Sequence, residues 1–294
     1  MISETTNNVI IERNMSGKPN KGKILVAVCA NIIDIPIYSS GTCVKLMNEG
    51  YEGYLVRISN DELYGDGSVF QNIHSNETET MNSAKALGFS ETLNLYYQNH
   101  NMHGKPLTDL IVRLVFIFRM LKADTVITLM PPDFDDTSPE KEVTFKAVKQ
   151  AAILAGNKNY YAEHMDADLT AHFVSKLYFA VNMNEPSFNR IVDISSAVGQ
   201  KIDSILECNT QGIGKKGSLL RKKLASEGKQ LPILGKNDIT ANREYIRHFI
   251  LDTDKQTGQK YGLEYAEAFC YVDRGKSGET QKLEEYIEKN AIKI

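Results

Sequence analysis

Apolar and polar positions alternate between two periods along this chain, and the alternation predicts its elements. Residues 24–29 (ILVAVC) form a short, unbroken apolar run rich in Val, as expected of a strand covered on both faces of a parallel sheet. Ser39 or Ser40 can then cap a helix through GTCVKLMNEG, with Gly50 as its stop. YLVRIS, beginning at Tyr54, reads as a second strand. A helix from about residue 77 ends at Gly88. Residues 92–97 (TLNLYY) give a third strand. Leu107, Leu110, Ile111, Leu114, Phe118 and Leu121 then recur at helical spacing. Residues 125–130 (TVITLM) make a fourth strand, and a polar loop leads into a helix over about 139–155. A fifth strand follows at 175–181 (SKLYFAV). Beyond about residue 186 come helical patterns at 191–208 and 240–256 and a last strand-like stretch, EYAEAFCYV.

Regular exchange of strand and helix predicts an α/β fold: a Rossmann-like, doubly wound, mostly parallel sheet with helices on both faces. The expected organisation is a polar N-terminal leader over residues 1–22 and a single domain over 23–294. Ligands of such sheets bind at the carboxyl ends of the strands. That directs attention to residues 30–40, after the first strand, and 130–141, after the fourth.

Composition narrows the classes. The formal charge of −3 and pI near 6.1 offer no basic field for nucleic acid. No window approaches eighteen consecutive apolar residues and the N-terminus lacks a signal-peptide core, so a cytoplasmic protein with no membrane span is expected. Four scattered cysteines, Cys29, Cys43, Cys208 and Cys270, read as free thiols in a reducing compartment. The turn after the first strand has neither GxGxxG nor GxxxxGK[ST], and HExxH, GxSxG and Cys/His clusters are absent. KKGSLLRKK (215–223) is locally basic and reads as a solvated helix face.

From residue 24 onward the motifs are similar to those of the PIG-L/LmbE deacetylases. Ala30-Asn31-Ile32-Ile33-Asp34-Ile35 stands where that family has AHPDDE, and Ser40-Gly41-Thr42 where it has GGT. LVRISNDE matches the block around its T(N)DE loop, and Glu79, Ala84, Leu87 and Gly88 match E…A…LG. LKADTVIT echoes LRPDVVIT, Asn209-Thr210-Gln211 falls at H.SQ, and Ala266-Glu267-Ala268-Phe269 at AE(A/Y)F. These blocks run through nearly the whole chain in the family's order.

The resemblance implies a zinc enzyme that removes acyl groups from N-acylated amino sugars, but the chemistry-bearing positions depart from it. Such a site needs three protein ligands, an open position for water, and a base. The family's ligand His is Asn31 here, its base is Ile33, and only its ligand Asp survives, as Asp34. Its HPDH becomes Ser138-Pro139-Glu140-Lys141, so Ser138 replaces the acid and Lys141 the third ligand. A family Arg is Asn76 and the Asp of a YPDG block is Asn99. With no metal expected, Lys141 and Asp34 are expected to pair in the vacated site. Alternatively, Ser138 and Pro139 simply begin a helix and Lys141 faces water.

Asp61, Asn99, Asp136 and His172 are candidate cleft residues. Asp133, Asp135, His74, His100, His103 and His164 have no ligand-like spacing, so they are not expected to rebuild a metal site. Three functions stay open. One is a pseudoenzyme holding a sugar-like ligand, such as an N-acylated amino sugar or nucleotide-sugar, or pairing with an active homologue. Another is an active hydrolase with altered chemistry, and the third is a structural subunit. A homo-oligomer, or association with an active homologue, is expected; neither nucleic acid nor membrane is.

Overall fold

The computed structural model describes residues 9–131, 138–181 and 188–275, with 283, 286–287 and 289–291 beyond them. Its strands are β1 (Ile10–Glu12), β2 (Ile24–Cys29), β3 (Glu52–Ser59), β4 (Glu91–Tyr97), β5 (Thr125–Leu129), β6 (Lys176–Val181), β7 (Arg190–Asp193) and β8 (Ala266–Asp273). Among the described residues these eight form one sheet in the order β1-β7-β8-β6-β5-β2-β3-β4. Every neighbouring pair is parallel except those of β8, which runs antiparallel to both β6 and β7. The Rossmann-like, mostly parallel sheet expected from the sequence is therefore present.

Strand β2 shows why the apolar run is unbroken. Leu25, Ala27 and Cys29 face one side, against α2 (Ser40–Asn48) and α7 (Val198–Leu206). Val26 and Val28 face the other, against α4 (Leu107–Leu121) and α5 (Pro139–Leu154). Side chains alternate across a strand, so a strand covered on both faces carries apolar residues at consecutive positions and not at every second one. The chain proceeds from β2 outward to β3 and β4, then returns to β5 on β2's other side. The loops leaving β2 and β5 consequently diverge, opening a crevice at their carboxyl ends.

Several elements differ from expectation. α3 spans Val69–Leu87, beginning well before residue 77, and Ser68 with Gln71 closes a capping box at its start. Its buried face carries Asn72, Asn76, Thr80 and Ser83, so hydrophobic periodicity does not register its first two turns. A short helix, α1 (Asp34–Tyr38), precedes α2, and Ser39 at the α2 N-cap makes no side-chain cap. The stretch expected to open a helix at 191 is strand β7, held between β1 and β8. The helical pattern at 240–256 divides into α9 (Asp238–Tyr245), a π-helical turn at Ile246–Ile250, and α10 (Asp252–Lys260). The basic stretch lies largely on α8 (Lys216–Ser226), where Arg221 and Lys222 pair with Asp238 near the surface.

The segment expected to be a leader, residues 1–22, contributes β1 to the sheet. Glu12 is the reason it is held. Its carboxylate lies 2.9 Å from the Nζ of fully buried Lys45 and 3.0 Å from Arg190, and accepts the Tyr178 hydroxyl at 3.0 Å. Glu49 supplies Lys45's second carboxylate at 2.8 Å. Burial alone would raise the Glu12 carboxyl, yet Lys45 and Arg190 hold it below its ordinary value. A depressed carboxyl stabilises fully above its ordinary value, and that contribution is lost as pH falls through the lowered one. Glu12→Gln is therefore expected to cost about 1–3 kcal/mol near neutrality. Denaturant unfolding of both proteins should show this difference shrinking in acid; a constant difference would mean that the charge is not what matters.

Candidate functional site

The crevice is built from the loops that leave β2, β3, β4 and β5. Asn31 and Asp34 follow β2, and both are buried. The Asn31 backbone N–H donates to Asp34 Oδ2 at 2.8 Å, tightening the turn into α1, while Asn31 Oδ1 accepts the Ser59 hydroxyl at 3.0 Å. Ile33, at the position of the family's base, occupies the α1 N-cap and packs on the core.

Asp61, after β3, is the hub. Its Oδ2 accepts the Ile32 N–H at 3.1 Å and Arg57 Nη1 at 3.2 Å, and its Oδ1 lies 3.3 Å from Ser59 Oγ. Asp61 and Arg57 are both completely buried. Burial pushes the Asp61 carboxyl up to about 7, against the pull of Arg57. Its backbone is left-handed, with φ 55°, so the loop spends conformational energy to aim this carboxylate. Asn99 Oδ1 accepts the Asp61 N–H at 3.1 Å, and both Glu62 carboxylate oxygens accept the Asn99 N–H. Asn76 donates to the carbonyls of Asp61 and Tyr64 at 3.2 and 2.9 Å. The two asparagines at altered family positions thus hold the β3 loop in shape.

α5 brings the last group. Ser138 occupies its N-cap and Pro139 the first turn, as expected of a helix start, but the Ser138 hydroxyl donates to Glu140 Oε2 at 3.1 Å instead of capping a backbone N–H. Lys141 does not face water. Its side chain is 13% exposed and its Nζ lies 3.9 Å from Asp34 Oδ1. The expected ion pair is formed.

Three groups were not anticipated. Glu140 is completely buried with His100 Nδ1 3.9 Å from its Oε2, and its Oε1 accepts no hydrogen bond among the described residues. His100 is half exposed and, like Asp61, left-handed at φ 55°. The Tyr64 phenol is raised by burial first and then by the surrounding charges of Asp61, Glu140 and Asp34, with Lys141 opposing, which places it among all four. A positive φ at His100 has no signature in a single sequence, and Tyr64 belongs to no motif.

His172 is not in the crevice. Its Nε2 lies 4.0 Å from Asp124, just before β5, at the opposite edge of the sheet, because the parallel strands β5 and β6 both begin there. Asp136, Asp133 and Asp135 lie outside the described residues. His164 is used structurally: its Nδ1 meets Arg119 Nη1 at 3.1 Å, and Arg119 also donates to carbonyls at the end of α5. Burial pushes the Cys29 and Cys43 thiols well above their ordinary value, leaving them inert as nucleophiles.

Could these residues hold the zinc ion that the motifs imply? Zinc needs three lone pairs directed at one point. The Asn31 amide oxygen is engaged by Ser59, one Asp34 oxygen is engaged by the Asn31 N–H, and the third position carries an ammonium. That donor set does not fit the ion. Among the described residues no group of three or more His, Cys, Asp or Glu side chains is placed to share a metal.

Removing one partner of a largely buried pair leaves the other charge uncompensated. Lys141→Met is expected to lower stability by roughly 1–3 kcal/mol, and Asp34→Asn added to it should restore part of the loss. A double-mutant cycle by thermal unfolding checks this; strictly additive losses would show that the two charges are not coupled.

No protein-family model matches the chain. Among solved structures it is similar to the N,N'-diacetylchitobiose deacetylase from Pyrococcus horikoshii in complex with an inhibitor. The two are 19% identical over 86% of this chain and 84% of that one, with a TM-score of 0.68. The 4-carboxy-2-hydroxymuconate hydratase GalB from Pseudomonas putida is 16% identical over 85% of this chain and 96% of its own, with a TM-score of 0.59. A conserved protein from Thermus thermophilus is 19% identical over 83% and 92%, with a TM-score of 0.59. Among the described residues no helix is long and apolar enough to cross a membrane. At such identities the likeness concerns architecture, and the architecture is plain: the chain has the fold of the PIG-L/LmbE-type deacetylases.

Proposed function

We propose that this chain is a PIG-L/LmbE-like protein whose cleft binds a sugar-like ligand, or seats an active homologue, without zinc-dependent hydrolysis. The observation that carries this reading is the Lys141 ammonium, 3.9 Å from Asp34. An ammonium there neutralises the one retained ligand carboxylate and repels a divalent cation. Ile33, lacking any proton acceptor, leaves no base at the position from which the family activates water.

The likeness to a chitobiose deacetylase supports an N-acylated amino sugar or a nucleotide-sugar as the ligand class. The crevice offers the groups such a ligand needs, in the Tyr64 phenol, His100 and the Lys141 ammonium. Free thiols, three of the four buried, fit a cytoplasmic protein.

A second reading is favoured by one specific observation. His100 Nδ1 lies 3.9 Å from the buried carboxylate of Glu140, so an imidazole and a carboxylate, two groups able to move protons, share the crevice. That arrangement would suit a hydrolase acting on an N-acylated amino sugar with no metal at all.

Two measurements decide between these readings. Elemental analysis of dialysed protein should find far less than one zinc per chain; a stoichiometric zinc would overturn the metal-free site. Incubation with N-acetylated mono- and disaccharides should release no acetate above background. Acetate release that disappears in Glu140→Gln would replace the binding role with metal-free hydrolysis.

A further inference from the structure

A second cavity, of about 240 Å³, opens at the same edge of the sheet as the crevice, beyond α1 and over the ends of β6 and β8. Tyr38, Phe249 and Ile250 give it an apolar wall, and the acidic residues Asp254 and Glu267 also line it. Behind them is a completely buried ammonium. Lys201 Nζ is 2.7 Å from Asp254 Oδ2 and 2.7 Å from Glu267 Oε1. Glu267 is otherwise satisfied, accepting the Gly41 and Thr42 N–H groups at 2.9 and 2.8 Å.

The charges do not balance. One ammonium serves two buried carboxylates, and the α2 N-terminus facing Glu267 offsets only about half of the remaining negative charge. The deficit falls on Asp254, whose charged neighbours among the described residues are Lys201 and Glu267. Burial drives its carboxyl up to about 7 even beside Lys201, as a group short of positive charge behaves. The wall opposite is unusual as well. Phe249 and Ile250 come from the π-helical turn, an interruption of regular hydrogen bonding that recurs at functional sites. This turn leaves Phe249 half exposed at the cavity.

We propose that this cavity is a binding site for an organic cation, a primary ammonium on a compact apolar body. Asp254 is its counter-ion, and the Phe249 ring lies against the cation as an aromatic wall. The ammonium completes the charge that Lys201 leaves unbalanced between Asp254 and Glu267. The apolar body fills the space between Tyr38, Phe249 and Ile250 and displaces poorly held water. This site is separate from the cleft and does not depend on the function proposed for it.

Isothermal titration of the full chain with cyclohexylammonium, against cyclohexanol and sodium chloride at matched ionic strength, tests the site above neutral pH. Cyclohexylammonium should bind saturably, while cyclohexanol and sodium should not. Asp254→Asn should weaken binding about tenfold or more, through loss of a charge-assisted hydrogen bond. Phe249→Ala, at a half-exposed position, should weaken it several-fold. It decides the matter should Asp254→Asn fail to fold. Equal binding of cyclohexanol would reduce the site to an apolar hole, and an equal response to sodium would reduce it to charge screening. Undiminished affinity in both variants would likewise overturn the proposal.

Discussion

Strand β2 is covered on both faces, and its two neighbours, β3 and β5, receive the chain from opposite directions. β2 carries no charged, amide or hydroxyl side chain, so the first residues along it able to carry chemistry are those just past its end. Asn31 and Asp34 stand there, and the divergence of the β2 and β5 loops brings Lys141 across to Asp34. The crevice is a consequence of strand order, and it persists whether or not the residues lining it hold a metal. That persistence separates this chain's architecture from its chemistry.

The carboxylate of Asp34 is almost completely buried, and that depth places a demand on its surroundings. An unpaired carboxylate at that depth would be very unfavourable. Asn31 and Lys141 answer this together. Asn31 donates its backbone N–H to one Asp34 oxygen and turns its side chain to Ser59, while Lys141 approaches the other oxygen. The β3 loop is held in a similar way. Asp61, with Asn76 and Asn99 holding its backbone, links to Ile32 and so ties the second loop to the first. The result is a polar network whose members are hydrogen-bonded to one another across two loops.

Most of the sheet was legible in the sequence because burial on both faces leaves an unmistakable apolar run, as in β2, β5 and β6. Helix α4 was legible to the residue, its apolar stripe being wide and regular. The parts that were not legible share a physical cause. The first turns of α3 bury asparagines and a threonine, since that face holds a polar loop and not the core. Strand β1 is held by Glu12, whose partners Lys45, Tyr178 and Arg190 are distant in sequence. Strand β7 is only four residues long and has no period to detect. In the site, Asp34 and Lys141 could be paired from motif positions alone, whereas His100 and Glu140 meet only because the loop after β4 lies beside the start of α5. His172 was misplaced because a residue just ahead of a strand lies at the edge opposite the ligand-binding one.

The fold itself carries little information about reaction type. A chitobiose deacetylase and a 4-carboxy-2-hydroxymuconate hydratase both resemble this chain in fold, and they act on chemically different substrates. Function has to be read from which charges are buried at the carboxyl edge and how each is compensated. In this chain there are two such places. At the crevice, Lys141 compensates Asp34, and the positive charge is part of the protein. At the second cavity Lys201 is shared between Asp254 and Glu267, so the protein's own positive charge falls short. The same principle, that a buried charge must be paired, therefore leaves the two places with different charge balances.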